Sequence, residues 1–301
     1  MKILLTGSSG QLGKSIIKFK PKNINLLTPN STEMNLGDLE KCKKFISTEK
    51  PDWVINSGAF THVDNAELFK FREEVFKINC KSVETFCKAL NKYEGKLMQI
   101  STDYVFDGNS KKPYETYDET NPNNIYGKSK SLAEKYIKNY LKGMNQYIIL
   151  RTSWLVSPYG RNFVLTIMKL LKEKDSINVV NDQIGEMTSA NNLANLCWKL
   201  IEANTIKTKN QDFFPSTHHW SDEGIVTWYD IAIAIKEITS ELKIINNPAK
   251  VNPIKSEKFN LKVKRPKYSV LKCSDTENLL KINRVHWRTS LSEIIKEISS
   301  F

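Results

Sequence analysis

The N-terminal run Lys2-Ile3-Leu4-Leu5-Thr6 is short, apolar and β-prone, and it ends in Gly7-Ser8-Ser9-Gly10-Gln11-Leu12-Gly13 just before a helical pattern. A strand, a glycine turn and a helix in immediate succession begin a β-α-β unit and leave few alternatives to a parallel sheet. The spacing is G-x-x-G-x-x-G. Gly7 suits the tight turn, Gly10 lets backbone N–H groups approach a phosphate, and Gly13 lets helix and strand pack closely. In this context the spacing is a dinucleotide fingerprint, with a pyrophosphate against the helix N-terminus. Gly7, Ser9, Gly10, Gln11, Leu12 and Gly13 are therefore candidate cofactor contacts. A purely structural glycine turn is the plainer alternative.

The same rhythm continues. After residues 2 to 6 the pattern predicts a helix over 11–19, a strand over Ile24 to Leu27, a helix over Leu39 to Ser47 and a strand over Trp53 to Asn56. A long helical stretch from about Ala66 to Asn91 leads into the strand Lys96 to Ser101, and a helix over Tyr126 to Leu141 leads into Tyr147 to Leu150. The expected fold is α/β, a Rossmann-like doubly wound parallel sheet over residues 1–150. A smaller, interleaved C-terminal substrate-binding lobe over 151–301 would send some segments back onto the sheet. Its loops are expected around Ser157 to Arg161, Asn181 to Ser189 and Lys207 to Ser216. In such sheets ligands lie beyond the carboxyl ends of the strands, so Gly7, Asn56, Ser101 and Arg151 should converge there. The small residues Asn56-Ser57-Gly58-Ala59 would let the backbone lie beside a flat ring or ribose, though alone they make only a sharp turn.

At 301 residues the chain can bury a full core without metal or disulfide support. Its five cysteines are odd in number and show no zinc-like spacing, which points to a reducing cytoplasm. The first apolar run is too short for a signal peptide, and no stretch is long and apolar enough for a bilayer span. A net charge of +12 admits nucleic acid, membrane or an anionic small molecule. The lysines are scattered over helices without interleaved aromatics, a solvated face that argues against a nucleic-acid partner. His62, His218, His219 and His286 have no ligand spacing, so no metal site is expected. Asp64 and Glu67 read as structural.

Tyr126 and Lys130 stand one helical turn apart and share a face. Hydride transfer to a ketone needs a proton donor for the developing alkoxide, and a free phenol titrates near 10. A neighbouring ammonium would favour the phenolate. Thr102, at another strand end, could hydrogen-bond the carbonyl. A Y-x-x-x-K pair also arises by chance on amphipathic helices; the glycine turn and the run Ser101-Thr102-Asp103-Tyr104-Val105-Phe106-Asp107-Gly108 supply the context that favours chemistry. The second strand ends at Leu27-Thr28-Pro29-Asn30. No carboxylate there repels a 2′-phosphate and no arginine holds one, so NADPH is expected, with NADH as the alternative.

These residues resemble the extended short-chain dehydrogenase/reductases and, within them, the dTDP-4-dehydrorhamnose reductases. The resemblance spans Gly7 to Gly13, Asn56 to Glu67, Ser101 to Gly108, Tyr126 to Lys130, Arg151-Thr152-Ser153-Trp154, Asp182 to Gly185, Trp228-Tyr229, and Arg265-Pro266 with Ser269 and Leu271. Similar sugar-nucleotide 4,6-dehydratases carry an Asp-Glu pair after the catalytic threonine, where this chain has Asp103-Tyr104, so simple carbonyl reduction is expected.

The resemblance implies hydride transfer to C4 of a dTDP-linked 4-keto-6-deoxy sugar, giving dTDP-L-rhamnose for cell-surface polysaccharide. Tyr126 would donate the proton, Thr102 would polarise the C4 oxygen, and Lys130 would tune Tyr126 and bind ribose. Asp103 is included among the substrate contacts, Tyr104, Phe106 and Trp154 would shape the sugar pocket, and Asn162, Gln183 and Arg265 would face the nucleotide diphosphate. Trp154 as a core aromatic and Arg265 in an ordinary ion pair are the plain alternatives. Met187 replaces a usual proline, Gly58 and Phe60 replace Ala and Tyr, and Asn35 replaces an aspartate, which leaves room for another sugar. Two other functions fit the scaffold: reduction of another nucleotide-linked ketosugar, and a non-catalytic role similar to the regulatory subunit of methionine adenosyltransferase. A homodimer is a family-level expectation.

Overall fold

The computed structural model describes residues 1–258 and 263–300. Its centre is a six-stranded sheet of β1 (Lys2–Thr6), β2 (Asn25–Leu27), β3 (Trp53–Asn56), β4 (Lys96–Thr102), β5 (Tyr147–Thr152) and β6 (Thr217–Trp220). The spatial order is β6-β5-β4-β3-β1-β2 and every pairing is parallel. The architecture is the α/β, Rossmann-like one expected. The order reverses between β1 and β3, and that switch point opens the crevice at the carboxyl ends of the strands.

Both faces of the sheet are covered, which is why its strands are nearly continuous apolar runs. Alternation divides β1 between the two sides. Ile3 and Leu5 enter one core with Leu12, Ile16, Leu193 and Trp198, whereas Leu4 enters the opposite core with Ile46, Phe86 and Ile137. The first core belongs to the helices Gln11–Lys18 and Ala190–Lys209, and the second to Leu39–Glu49, Ser82–Leu90 and Ile125–Tyr140. Ser15 Oγ donates to Asn191 Oδ1 at 2.8 Å and Trp198 Nε1 to Ile16 O at 3.2 Å, joining the first two of these helices.

The second half of the chain contributes both that cover helix and β6, which pairs Thr217 with Ile149 and Trp220 with Thr152. Its own core gathers Val164, Ile167, Met187, Ile231, Ile235, Leu291 and Ile294. These come mainly from the helices Phe163–Glu173, Trp228–Glu241 and Trp287–Ser299, beside a parallel pair of strands, Ser176–Val180 and Lys250–Ile254. No helix among the described residues is long and apolar enough to cross a membrane.

Three local expectations are corrected. The stretch from Ala66 to Asn91 is interrupted: Leu68 is extended at ψ 127°, and helix Phe69–Phe76 passes into a π-turn at Lys77–Lys81 before Ser82–Leu90. Residues 207–209 are helical because the cover helix runs on to Lys209, where Thr208 Oγ1 accepts from Lys96 Nζ at 2.7 Å. Short strands Ile184–Gly185 and Thr188–Ser189 lie within the loop expected over Asn181 to Ser189, and they pair with Val226–Thr227 and Leu155–Val156.

Beneath the carboxyl end of β4 and β5 lies a fully buried ion pair. Arg151 Nε and Nη2 reach Glu134 Oε1 and Oε2 at 3.1 and 2.7 Å, a two-pronged bond of the strong kind. The guanidinium also donates to Thr116 O and stacks over Phe106. Removing one partner of such a pair strands a buried charge, so Glu134→Ala should lose about 3–5 kcal/mol of stability. Replacing both with apolar residues, Glu134→Leu with Arg151→Met, should recover much of it. Urea titration of the two variants checks this; equal losses in both would refute it.

Candidate active site

The carboxyl ends of β1, β3 and β4 are tied by a buried chain of hydrogen bonds. Thr6 Oγ1 donates to Asn56 Oδ1 at 2.6 Å, Asn56 Nδ2 to Gln99 Oε1 at 2.7 Å, and Gln99 Nε2 to Ile100 O at 2.7 Å. Ser57 Oγ donates to Thr6 O and the Gly58 N–H to Thr6 Oγ1, so the turn after β3 is fastened to the glycine turn after β1. The contact leaves no room for side chains. Gly7 has φ +66°, and a Cβ there would lie 2.7 Å from Gly58 Cα; one on Gly13 would lie 2.1 Å from Gly7 O. Gly10 is the N-cap of helix Gln11–Lys18, and no side chain caps that helix. Its leading N–H groups and the glycines on either side of Ser8 and Ser9 fit a diphosphate.

Tyr126 enters the crevice on helix Ile125–Tyr140, whose start is strongly fixed. Asn124 Oδ1 accepts the Gly127 N–H at 2.8 Å and Glu67 Oε1 accepts the Ile125 N–H at 2.6 Å. A Cβ on Gly127 would lie 2.1 Å from Tyr104 O, so glycine lets the helix press against the turn Asp103–Val105. That contact sets the Tyr126 phenol beside Thr102 and its ring edge-on to Tyr104, with centroids 5.8 Å apart. Burial and then the charge of Asp103 raise the phenol well above the usual tyrosine range, with the Thr102 hydroxyl pulling the other way.

Lys130 is buried one turn on, and its Nζ donates to Ile100 O at 2.6 Å. Burial lowers it to about 8, against an upward pull from Glu134. Burial outweighs the pull of the Lys130 ammonium, so Tyr126 retains its proton at neutral pH, the state a donor requires. Asp103 is buried beside Thr102. Burial raises its carboxyl to about 6, opposed by the hydroxyls of Thr102 and Ser269.

The remaining sequence candidates lie in varied settings. Trp154 has a left-handed backbone, φ +43°, and stacks on Trp228 at 3.9 Å with 13° between the rings. Gly185 is small because a Cβ would meet the Trp154 ring at 2.7 Å. Phe106 is fully buried, stacked on Tyr114 at 4.2 Å. The Asn162 amide caps helix Phe163–Glu173 and donates to Gln11 Oε1 at 3.0 Å, which joins the glycine turn to the second half of the chain. Gln183 Nε2 reaches Ser256 Oγ at 3.2 Å. Arg265 Nη2 donates to Asp64 Oδ2 at 3.0 Å, while Arg265 Nε and Asp64 Oδ1 are buried without partners among the described residues. Ser9 and Ala59 lie on the two glycine-bearing turns, and Leu12 belongs to the core.

Sequence reasoning passed over several supports. Asn79, on the π-turn, accepts the Phe60 N–H at 2.7 Å and donates to Phe60 O and Ser129 Oγ, which joins the loop after β3 to the Tyr126 helix. π-turns concentrate at functional sites, but a single asparagine within a helical pattern gives no signal of one. Glu134 was legible in principle: it continues the four-residue spacing of Tyr126 and Lys130. His218 and His219 are buried and bonded to Pro215 O and Tyr114 O. Among the described residues there is no cluster of three or more His, Cys, Asp or Glu that could hold a metal. A groove of about 840 Å³ opens at the opposite, amino ends of the strands, where Lys96 is bonded to Asn204 and Thr208 away from this chemistry.

Comparison with known proteins agrees in extent and fold. The model of the family described as the RmlD substrate binding domain matches residues 1–300. The chain is 32% identical to a dTDP-4-dehydrorhamnose reductase of Aggregatibacter actinomycetemcomitans, covering 97% of this chain and 98% of that one. A crystal structure of a dTDP-4-dehydrorhamnose reductase from Clostridium acetobutylicum aligns with TM-score 0.89 and 36% identity over 99% of this chain and 100% of that one. The Bacillus anthracis enzyme of that name, solved in complex with NADP, aligns with TM-score 0.87 and 30% identity over 98% of this chain and 99% of the other. With a full-length family match and relatives of this similarity, the chain belongs to the RmlD substrate binding domain family.

Proposed function

We propose that the protein is an NADPH-dependent dTDP-4-dehydrorhamnose reductase, which converts the C4 ketone of dTDP-4-dehydro-L-rhamnose to the alcohol of dTDP-L-rhamnose for cell-surface polysaccharide. The observation that carries the reading is the meeting of Thr102 and a proton-bearing Tyr126 above buried Lys130, at the strand ends where the glycine turn opens. Residues 1–150 form the cofactor-binding Rossmann part and 151–301 the main substrate lobe. The Gly7 to Gly13 turn, with Ser9 and Gln11, holds the diphosphate of the cofactor; Asn56 to Ala59 line its ribose and nicotinamide side, and Lys130 bonds the ribose.

Bound NADPH supplies the hydride to C4. The protein does the rest. Tyr126 gives its phenolic proton to the C4 oxygen as negative charge develops there, and Thr102 orients that oxygen. Asp103 and Tyr104 face the sugar, with Phe106 behind them, and Trp154 forms a flat wall held by its stacking on Trp228. The left-handed backbone at Trp154 is an observed strain of the kind that gathers at ligand sites. Arg265 offers a planar fork to the nucleotide diphosphate once it exchanges Asp64 for phosphate oxygens; Gln183 and Asn162 order the loops on that side. Tyr104 stands where the similar dehydratases carry glutamate, so water is not eliminated.

The names of the relatives favour this reading over reduction of a different ketosugar, and retention of Thr102, Tyr126 and Lys130 disfavours a regulatory subunit. NADH is the second cofactor of the proposal. Five free, buried cysteines support a cytoplasmic setting, and a homodimer is its family-level component, readable by light scattering.

The test is NADPH oxidation with dTDP-4-keto-L-rhamnose made by coupled dehydratase and epimerase. A strong preference for the UDP-linked ketosugar would overturn the substrate assignment; silence with cofactor bound would overturn the activity. Tyr126→Phe should lower kcat by about 10²–10⁴-fold with cofactor affinity nearly unchanged, because the hydroxyl acts in the transition state. Unaltered turnover would show the donor misassigned. Lys130→Ala should weaken both cofactor binding, read by fluorescence titration, and kcat; a change confined to one would remove the other role.

A further inference from the structure

Thr102 has one hydroxyl proton, and it is committed: Oγ1 donates to Asp103 Oδ1 at 2.9 Å. The same oxygen accepts the Tyr104 N–H at 3.2 Å. A hydroxyl offers one donor and two acceptor lone pairs, so its donor capacity is spent. While Asp103 is a carboxylate, Thr102 has nothing to give an incoming carbonyl.

Asp103 is built to leave that state readily. The residue is 2% exposed and its Oδ2 is buried without a hydrogen-bond partner among the described residues. An ionised carboxylate with an orphaned oxygen is costly to bury, whereas the neutral acid needs less solvation and gains a proton to donate. The titratable and charged neighbours are Tyr104 on its own turn, Tyr126 on the facing helix and, beyond Tyr104, the Arg265–Asp64 pair; Ser269 adds a hydroxyl from the C-terminal segment.

We propose that Asp103 is a positioning residue that sets the direction of the Thr102 proton: the neutral acid donates to Thr102 Oγ1 and releases the Thr102 proton toward the substrate's C4 oxygen, whereas the carboxylate withholds it. The inference rests on the reductase reading. Protons balance without covalent change, since Asp103 takes one from solvent and the bond between the two oxygens reverses. The neutral form places two donors, Tyr126 and Thr102, on the developing oxyanion and the ionised form only one.

Single-turnover hydride transfer should therefore be faster on the acid side and fall as pH rises through about 6, where burial holds the Asp103 carboxyl. One donor to an oxyanion bounds the difference between the plateaus at about 10²–10³-fold. Asp103→Asn and Thr102→Val should each be slow or altered in rate yet flat over the same pH range, because one lacks the titrating acid and the other the proton it directs. A merely structural Asp103 would scale the rate in Asp103→Asn and leave a sloping profile in Thr102→Val. A flat wild type, or a slope that survives Thr102→Val, overturns the proposal.

A second measurement needs no turnover. The infrared carboxyl band of Asp103, identified by its loss in Asp103→Asn, should titrate at higher pH in Thr102→Val, where the carboxylate has lost its donor; an unmoved midpoint also overturns the proposal. Inactivity of the wild type on every nucleotide-linked ketosugar would sink the functional reading and the catalytic consequence drawn from it, while the infrared midpoint would still decide whether Thr102 and Asp103 share the bond.

Discussion

The site depends on a charge pair that never meets solvent. Arg151, on the last turn-ward residues of β5, grips Glu134 on the helix that carries Tyr126 and Lys130, and Ser101 Oγ at the end of β4 donates to the same carboxylate. Three elements are thus fixed at one point, in a low-dielectric setting where misplacement leaves charges unpaired. Tyr126, Lys130 and Glu134 fall on one helical stripe, so fixing the third member fixes the rotation of the first two. A phenol on a helix is useful as a proton donor only if that rotation is constant.

Around this anchor, close packing performs what side chains cannot. Gly13 against Gly7, Gly7 against Gly58, and Gly127 against Tyr104 are three places where backbone meets backbone at distances that exclude a Cβ. The first seats the helix after β1 on its own turn, the second brings the turns after β1 and β3 together, and the third sets the phenol beside Thr102. The polar chain from Thr6 through Asn56 to Gln99 satisfies the groups that such close contact buries. Rigid glycine contacts and a saturated hydrogen-bond chain are complementary, because either alone would leave the crevice floor loose or unsatisfied.

Much of this was legible in the sequence, for physical reasons. Continuous apolar runs ending in polar residues can be little else than strands of a covered parallel sheet, and all five in the first half lie within a residue or two of where the pattern puts them. The glycine turn and the Tyr-Lys stripe are local features whose spacing carries their meaning. What escaped depends on long-range partners. Nothing near Asn79 announces a π-turn or a bond to Phe60, nothing near Gly185 announces the Trp154 ring, and the break at Leu68 comes from the loop that Glu67 must enter to cap Ile125. Arg265 shows the limit from the other side: its type suits a phosphate, but its resting partner, Asp64, lies two hundred residues away in sequence.

The sixth strand has a consequence for how the chain is made. Thr217–Trp220 lies at the edge of the sheet beside β5, and the helix Ala190–Lys209 roofs one face of β1. A ribosome that has released only the first 150 residues has therefore produced a sheet with β5 as an unpaired edge and one face covered only by helix Gln11–Lys18, an invitation to pair with another chain. The nascent protein passes through that exposed stage until about seventy more residues emerge. Its solubility during synthesis thus depends on a segment that emerges late, and an early truncation leaves the β5 edge and part of one face uncovered.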